Sequence, residues 1–184
     1  MVDREKCNWD TGKKLICDLL AIKDRYPQVH DWTVSPNGER IAAPVLSAPD
    51  EFRVVVNGDL WNGEYEKAWN LVFAPDGRLN ALVRIDDEWT VATEGEPWEA
   101  RWEFAWNPTF NRDGSVIAVQ IKDNMEYSVA VNGRAWEQRF HSSRGLAVSE
   151  GGDRVVALVQ VEPLAEADTV GFMEGTWSVA VNGT

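Results

Sequence analysis

The 184-residue chain has few of the residues on which metal, redox and nucleophilic sites usually depend. It contains two cysteines, Cys7 and Cys17, and two histidines, His30 and His141. Two cysteines without neighbouring cysteine or histidine partners do not make the ligand set of a structural zinc site. The haem-attachment pattern Cys-x-x-Cys-His is absent from the sequence, and so is a phosphate-binding glycine loop. We therefore expect no metal, no cofactor and no catalytic residues.

Positive charge is also scarce, with 18 basic against 30 acidic residues and a formal net charge of −12. A surface of this sign repels a phosphate backbone, which argues against a nucleic-acid partner. No apolar stretch approaches the ~20 residues that a membrane-spanning helix needs. The first residues, Asp3 to Lys6, are charged and are not those of a secretory signal. We expect a cytoplasmic protein that reaches a membrane only through partner subunits.

Tryptophan, in contrast, is abundant, and most of the ten copies recur at regular intervals. The segment VVVNGDLWNGEYEKAW (residues 54–69) shows the unit: an apolar run, an Asn-Gly pair and three aromatic residues at spacings of four. Asn-Gly between short apolar runs predicts a β-hairpin, because both central residues of its type I′ turn need positive φ. A Pro-Asp-Gly sequence at residues 75–77 predicts a second tight turn.

The unit recurs, since the turn glycines Gly38, Gly77 and Gly114 are 39 and 37 residues apart. The hairpin pairs are Asn57-Gly58, Glu94-Gly95, Asn132-Gly133 and Asn182-Gly183. The aromatic residue that opens the strand before each pair is Phe52, Trp89, Tyr127 or Trp177. Three slots follow at spacings of four. The first slot holds Ile22, Trp61, Trp98 and Trp136 in the four copies. The second slot holds Tyr26, Tyr65, Trp102 and Phe140, and the third slot holds His30, Trp69, Trp106 and Arg144.

Four short strands per unit and this period predict the blades of a β-propeller. We expect an all-β fold of about four four-stranded blades that forms an open arc of a larger ring. The expected organisation is an N-terminal extension over residues 1–21, then repeats over about 22–60, 61–97, 98–135 and 136–184. The first strand of each sequence repeat is expected to become the outer strand of the preceding blade.

Two further expectations concern the strands themselves. The unbroken apolar runs at residues 54–56, 129–131 and 179–181 predict strands that are covered on both faces. Residues 22–26 match the strand that begins each repeat. If that strand paired with residues 177–181, the blades would close as a compact four-bladed ring, which is the alternative to the open arc.

Candidate interaction residues lie in an insertion and in one aromatic slot. Ala157 and Trp177 are 20 residues apart, whereas the equivalent residues of the other copies are 8 to 10 apart. Loops of such length in a compact repeat are often functional, so we expect the insertion near residues 161–175 to contact a partner. Trp69 and Trp106 are the candidates for an exposed docking patch. The acidic candidates in the insertion are Glu162, Glu166, Asp168 and Glu174.

Other polar residues have simpler interpretations. His30 and His141 fall in different repeat positions without a neighbouring serine or cysteine motif, so an aromatic-slot or loop role is expected. Asp76 and Asp113 stand at the same place in two tight turns, where an aspartate side chain caps the backbone. Neither pair indicates catalysis.

Two family resemblances accompany these patterns. The runs SPNGERIAA (residues 35–43) and APDGRLNAL (residues 74–82) resemble the SPDGKxIA turn of TolB-type, WD40-like propeller repeats. The combination of VNGxxW, a further aromatic residue four positions on and the FAPDG turn resembles the TmcD family. These are the tryptophan-rich subunits of the Tmc transmembrane electron-transfer complex of sulfate-reducing bacteria. The runs NWDTG (residues 8–12) and VQVEPLAEAD (residues 159–168) share the resemblance.

The resemblance to TmcD implies a cytoplasmic subunit without redox centres. Its implied partners are an iron–sulfur HdrD-like subunit, a membrane cytochrome b and a periplasmic multihaem cytochrome c. We therefore expect a non-catalytic scaffold that makes protein–protein contacts in a membrane-associated electron-transfer complex, with no small-molecule substrate. The alternative is a stand-alone propeller that binds or hydrolyses a small ligand in its central channel. Convergent polar residues at the channel mouth would favour that alternative.

Overall fold

The computed structural model describes residues 14–162 and 175–184, which form one short helix and four antiparallel sheets. The chain divides into two compact units, Met1–Arg101 and Trp102–Thr184. The first unit contains helix α1 (Leu19–Arg25), sheet 1 and sheet 2, and the second contains sheet 3 and sheet 4.

Each sheet is an up-and-down meander whose strands follow chain order. Sheet 1 comprises β1 (Gln28–Val29), β2 (Thr33–Val34), β3 (Ile41–Ala48), β4 (Glu51–Val56) and β5 (Asp59–Leu60). Sheet 2 comprises β6 (Lys67–Phe73), β7 (Leu79–Ile85), β8 (Glu88–Thr93) and β9 (Glu96–Pro97). Sheet 3 comprises β10 (Phe104–Phe110), β11 (Ile117–Asp123), β12 (Glu126–Val131) and β13 (Arg134–Ala135). Sheet 4 comprises β14 (Ser142–Val148), β15 (Val155–Gln160) and β16 (Trp177–Val181).

The antiparallel meander is the blade unit of a β-propeller, so the expected all-β fold of four blades is confirmed. Sheets 2 and 3 have four strands, and sheet 4 has three among the described residues. In sheet 1 the first strand is split into β1 and β2, which both pair with β3. Among the described residues β16 is an edge strand of sheet 4, as the open arc requires.

The hairpin turns form because their residues tolerate positive φ. Asn57 and Gly58 have φ of 51° and 100°, and the three equivalent pairs share this left-handed conformation. The asparagine also ties together the two turns at that end of its sheet. Asn57 Oδ1 accepts a hydrogen bond from the Ile41 N–H at 2.8 Å, and its Nδ2 donates to Glu39 O at 3.0 Å. Asn132 and Asn182 repeat both bonds.

The aspartates of the other tight turn act as the sequence indicates. Asp76 accepts a hydrogen bond from the Arg78 N–H, and Asp113 accepts one from the Ser115 N–H, each at 2.9 Å. These are Asx-type bonds that hold the turn. The interpretation of both residues as turn caps is therefore confirmed.

The third-strand aromatic residues occupy one structural position, as predicted. Phe52, Trp89, Tyr127 and Trp177 lie in β4, β8, β12 and β16, opposite Leu46, Arg84, Lys122 and Gln160 respectively.

The first segment of the second sequence repeat forms the outer strand of the preceding sheet, as expected. The Trp61 N–H donates to Val54 O at 2.9 Å, and Tyr65 bridges Phe52, so this segment pairs within sheet 1.

The expected strand at residues 22–26 is wrong, because these residues belong to α1 and its C-terminal cap. Asp18 caps the helix by accepting hydrogen bonds from the N–H groups of Leu20 and Ala21, at 3.0 and 3.2 Å. Ile22 and Tyr26 are buried on sheet 1, since a spacing of four also brings two residues to one face of a helix. The closed-ring alternative depends on a strand at these residues, and that strand is absent.

The prediction that the apolar strands are covered on both faces holds for two strands and fails for one. Val54, Val55, Val129 and Ala130 have no exposed surface, but Val179 of β16 is 53% exposed. Ala180, which points to the opposite face, is buried. The face of β16 that carries Val179 is therefore largely open to solvent, whereas the face with Ala180 is covered.

Candidate functional site

In every sheet, side chains from two of the sequence slots contact each other. We call this contact the aromatic pair, and in sheet 4 its first member is Arg144 instead of an aromatic residue. The third slot of the spacing-of-four series meets the third-strand aromatic residue of the same sheet. The ring centroids are 5.4 Å apart in His30–Phe52, 6.0 Å in Trp69–Trp89 and 5.9 Å in Trp106–Tyr127. In sheet 4 the Arg144 guanidinium lies 3.8 Å from the centroid of the Trp177 ring. Sequence reasoning found both slots but not their pairing.

A β-bulge directly follows the first member of the pair in sheets 2, 3 and 4. Asn70, Asn107 and Gly145 have φ of 49°, 56° and 59°, and the strand register shifts at each of them. In sheet 1 the break between β1 and β2 falls at the same place. A bulge redirects side chains and leaves part of the ladder unpaired. The aromatic pairs therefore sit beside an irregular stretch of each first strand.

The pairs lie close to the turn that joins the second and third strands of their sheet. Trp89 follows the left-handed residues Asp86 and Asp87, and Trp177 lies directly after the insertion of the fourth copy. The insertion therefore emerges at the end of sheet 4 that carries its pair. This end of each sheet is a candidate interaction surface.

The two tryptophan candidates differ in exposure. Trp69 is 41% exposed, whereas Trp106 is half-buried and stacks on Phe104 at 5.8 Å. Phe104 is itself 39% exposed, so sheet 3 presents an aromatic cluster to solvent. The sequence pattern did not single out Phe104, although its position two residues before Trp106 puts both on one face of the strand.

The insertion candidates fall mostly outside the described residues. Glu162 is exposed, and its carboxylate accepts a hydrogen bond from the Thr176 hydroxyl at 2.7 Å. The Val161 N–H donates to Thr176 O at 3.0 Å, which continues the ladder at the base of the insertion. Glu166, Asp168 and Glu174 lie outside the described residues.

Other tryptophans of the repeat have a packing role. Trp61 is buried, and a Cβ on Gly95 would lie 3.3 Å from its Cγ. Gly95 is thus required both by its φ of 90° and by the indole beside it. The Tyr65 hydroxyl donates to Gly95 O at 3.2 Å, and burial, helped by the charge of Glu96, raises the pKa of Tyr65 to about 12. Trp136 contacts Gly183 in the same way within the second unit.

Glu94 replaces the hairpin asparagine in sheet 2 and makes an additional link. Its Oε1 accepts from the Leu79 N–H at 2.6 Å, and both carboxylate oxygens lie 2.7 Å from the Arg40 guanidinium of sheet 1. Arg40 also donates to Gly77 O at 3.0 Å. Burial raises the pKa of Glu94, but the hydrogen bonds from Arg40 and Leu79 and the charges of Arg40 and Arg78 outweigh it and lower the pKa overall.

A cleft of about 550 Å³ opens beside the first two aromatic pairs. Its polar lining comes from His30, Asp31, Thr33 and Asn70, and its apolar lining includes Trp32, Pro44, Trp69 and Leu71. Asp31 and Asn70 directly follow the pair residues His30 and Trp69. Sequence reasoning passed over both, although polar residues recur at this position in the first three repeats.

Within the described ranges, no three His, Cys, Asp or Glu side chains come together as metal ligands would. No helix in the same part of the chain is long and apolar enough to cross a membrane.

Comparison of the sequence with models of protein families and with curated proteins finds no match. Among solved structures, the chain is similar to the β-propeller domain of the Trilobed protease from Pyrococcus furiosus, described as having an open velcro topology. The identity is 16% and the TM-score 0.49, over 83% of this chain and 53% of that one. It is also similar to Kuenenia stuttgartiensis hydrazine synthase, at 13% identity and a TM-score of 0.35, over 95% of this chain and 66% of that one. The chain thus spans about half to two thirds of these structures, and its assignment to the β-propeller class rests on its own four sheets.

Proposed function

We propose that this chain is a non-catalytic, WD40-like propeller scaffold, a TmcD-type subunit of a membrane-associated electron-transfer complex of sulfate-reducing bacteria. In this role it holds other protein subunits together on the cytoplasmic side. The observation that supports the proposal is the repeated aromatic pair at one end of each sheet. A contact repeated in every sheet suits protein partners better than a single small substrate.

The composition of this surface supports protein docking. Trp69 and Phe104 are about two-fifths exposed, and aromatic side chains of this kind dominate the energetics of protein interfaces. Cations lie over several of the rings: the Lys67 ammonium is 4.9 Å from the Phe52 centroid, and the Arg144 guanidinium contacts Trp177. Such clusters combine an apolar contact area with fixed charge, which favours one partner orientation over others.

The test is capture of the complex from detergent-solubilised membranes of a sulfate-reducing bacterium. The tagged protein should recover an iron–sulfur subunit and a cytochrome b, identified by mass spectrometry. A double variant, Trp69→Ser with Trp106→Ser, should lose both. Leu20→Ser is the matched control, because Leu20 is 72% exposed on α1 and belongs to no aromatic pair. Recovery without redox subunits, or equal recovery with the double variant, would contradict the proposal.

The expectation that the scaffold carries no redox centre has its own test. The purified protein should show no visible absorption band that remains in stoichiometric amount after desalting, because the sequence carries no haem, flavin or iron–sulfur binding pattern. A retained stoichiometric band would overturn the scaffold role as stated.

A further inference from the structure

Asparagine followed by glycine is the peptide sequence least protected against loss of ammonia from its own side chain. The glycine nitrogen, which no neighbouring Cβ shields, attacks the amide carbon of the asparagine. The chain contains five such pairs, which begin at residues 37, 57, 62, 132 and 182. Whether a pair reacts depends on how firmly the structure holds its asparagine, so the five pairs can be compared within one molecule.

Four of these asparagines are held by hydrogen bonds of their side chains. Asn57, Asn132 and Asn182 each use Oδ1 and Nδ2 at once to bond backbone groups of the neighbouring turn. Asn37 Oδ1 accepts two hydrogen bonds within its own turn, at 2.7 and 3.0 Å. In all four the amide carbon is therefore held away from the following nitrogen, and these bonds must break before the two atoms can join.

Asn62 has no such bonds. Its side chain is exposed, and within the described part of the chain neither its amide nor the Gly63 N–H makes a hydrogen bond. The pair lies in a bend between two anchored residues, because the backbone bonds of the outer segment of sheet 1 stop at Trp61 and resume at Tyr65. Approach of the Gly63 nitrogen to the Asn62 side chain therefore breaks none of the bonds of the sheet.

Packing explains why a glycine stands at this position. A Cβ on Gly63 would overlap the hydroxyl of Tyr65, which is buried and donates a hydrogen bond to Gly95 O. The equivalent positions of the next two repeats hold Ala100 and Gln138. The reactive sequence at residues 62–63 is thus a consequence of how the tyrosine of this segment packs.

We propose that Asn62 is a site of spontaneous deamidation in the folded protein. The Gly63 nitrogen bonds to Cγ of Asn62 and gives up its proton, and the amide nitrogen leaves as ammonia, which produces a cyclic imide. Water then adds to one of the two imide carbonyls and opens the ring. The products are aspartate and isoaspartate, and nothing is oxidised or reduced. The proposal is independent of the scaffold function.

The two products should affect the fold differently. Aspartate adds one negative charge, and Glu99 and Glu137 place a carboxylate at the equivalent position of the next two repeats. Aspartate at residue 62 should therefore be tolerated. Isoaspartate inserts an extra carbon into the main chain between Trp61 and Tyr65, whose backbone bonds hold the outer segment of sheet 1. Its formation should loosen that segment.

The experiment is incubation of the full chain at mildly alkaline pH, followed over days by tryptic digestion and mass spectrometry. Trypsin cleaves after Arg53 and Lys67, so Asn57 and Asn62 fall in one peptide, and its fragmentation compares them directly. In the folded protein Asn62 should react at least about tenfold faster than Asn57, because two hydrogen bonds hold the Asn57 side chain. In urea that unfolds the chain, the two residues should react at similar rates.

Equal rates at Asn57 and Asn62 in the folded protein would overturn the proposal, because the turn would then give no protection. Reaction of Asn62 in urea but not in the folded chain would overturn it as well, since the bend would then protect as well as the turns do. The variant Asn62→Gln is the matched control, and its digests should contain no deamidated product at residue 62.

The consequence for the fold is tested with the same samples. Freshly purified Asn62→Asp should keep the Tm of the fresh wild type, and the fraction of aged protein that melts early should match its isoaspartyl fraction, measured by chromatography of the peptides. A fall in Tm of fresh Asn62→Asp as large as that of the aged protein would assign the effect to charge and contradict the role given to isoaspartate.

Discussion

Two strands with similar apolar endings before the same kind of hairpin differ in burial. β4 ends in Val-Val-Val before Asn57-Gly58, and β16 ends in Val-Ala-Val before Asn182-Gly183. Both hairpins adopt the same left-handed turn. Yet Val54 is fully buried, whereas Val179, at the equivalent place, is 53% exposed. The local sequence therefore determines the hairpin but not whether its strand lies in the core.

The difference comes from what packs over each strand. Val54 belongs to a core cluster with Trp61, Tyr65 and Leu79 of the following segments, and Val55 belongs to another with Ile22 of α1. β4 is thus enclosed by chain from both sides. In β16 Ala180 joins a core cluster, whereas Val179 is in none of the clusters formed by the described residues. Whether a strand residue is buried depends on the side chains that pack against it, and these come from distant parts of the chain.

The largest effect is expected from removing a side chain that covers β4. Trp61→Ala should lower the free energy of unfolding by about 3–5 kcal/mol, because a buried indole is lost and a cavity remains. For a chain of this size that corresponds to a fall in Tm of about 6–20 °C, measurable by calorimetry. Trp69→Ala is the matched control, since Trp69 is 41% exposed and should cost about half as much or less. A Trp61 effect no larger than the Trp69 effect would show that the cover is unimportant.

The next test compares the two strands directly. Val54→Ala should cost about 2–3 kcal/mol, from two buried methyl groups and the space they leave. Val179→Ala should cost less than about 0.5 kcal/mol, because the side chain is half in solvent already. Urea unfolding of both variants gives the two values. Equal costs would mean that β16 is covered in solution.

A smaller loss of stability is expected at the hairpin of sheet 2, where Glu94 stands in place of asparagine. Glu94→Gln should cost about 0.5–1 kcal/mol at pH 7, because the pair with Arg40 is partly exposed and screened by solvent. The pKa of Glu94 is lowered by folding, so its stabilisation is fully present above the ordinary value of 4.5 and is lost as the pH falls through the folded pKa.

Unfolding measured between pH 7 and pH 3 checks the sign of this effect. The difference between the wild type and Glu94→Gln should shrink as the solution becomes acidic. Glu99→Gln is the control, an exposed carboxylate for which no difference at either pH is expected. A difference that grows toward acid would contradict the assignment.

The smallest effect is expected at the insertion. In sheet 3 a two-residue turn, Asn124-Met125, joins the second and third strands, and in sheet 4 residues 162–175 take that place. Replacing them with Asn-Gly should keep the Gln160–Trp177 register and leave Tm within a few degrees, while weakening assembly of the complex. Unfolding of the variant with assembly retained would assign the insertion a structural role.

The candidate site was only partly predictable. The slots that hold Trp69 and Trp89 were found from spacing, but their contact depends on the register of three strands, which spacing along the chain does not contain. The cleft beside them was missed for the same reason. Asp31 and Asn70 are 39 residues apart and become neighbours only because two first strands line one space.

At helix α1 the sequence pattern predicts the buried positions correctly but the secondary structure wrongly. Ile22 and Tyr26 were aligned with Trp61 and Tyr65, and all four are indeed buried against sheets. A helix and an interrupted outer strand can both present residues four apart to one surface. The local signal for the helix was available in Asp18, a good N-cap, and in Pro27 directly after Tyr26.

The turns and the equivalence of the four third-strand aromatic residues can be read from local sequence. These depend on φ preferences and apolar runs that act within a few residues. Which faces are buried, which aromatic residues meet, and where Asp31, Asn70 and Trp69 line one cleft depend on long-range packing. Such contacts require distant segments to approach, and their free energy depends on the area removed from water between them, a quantity that no single segment carries.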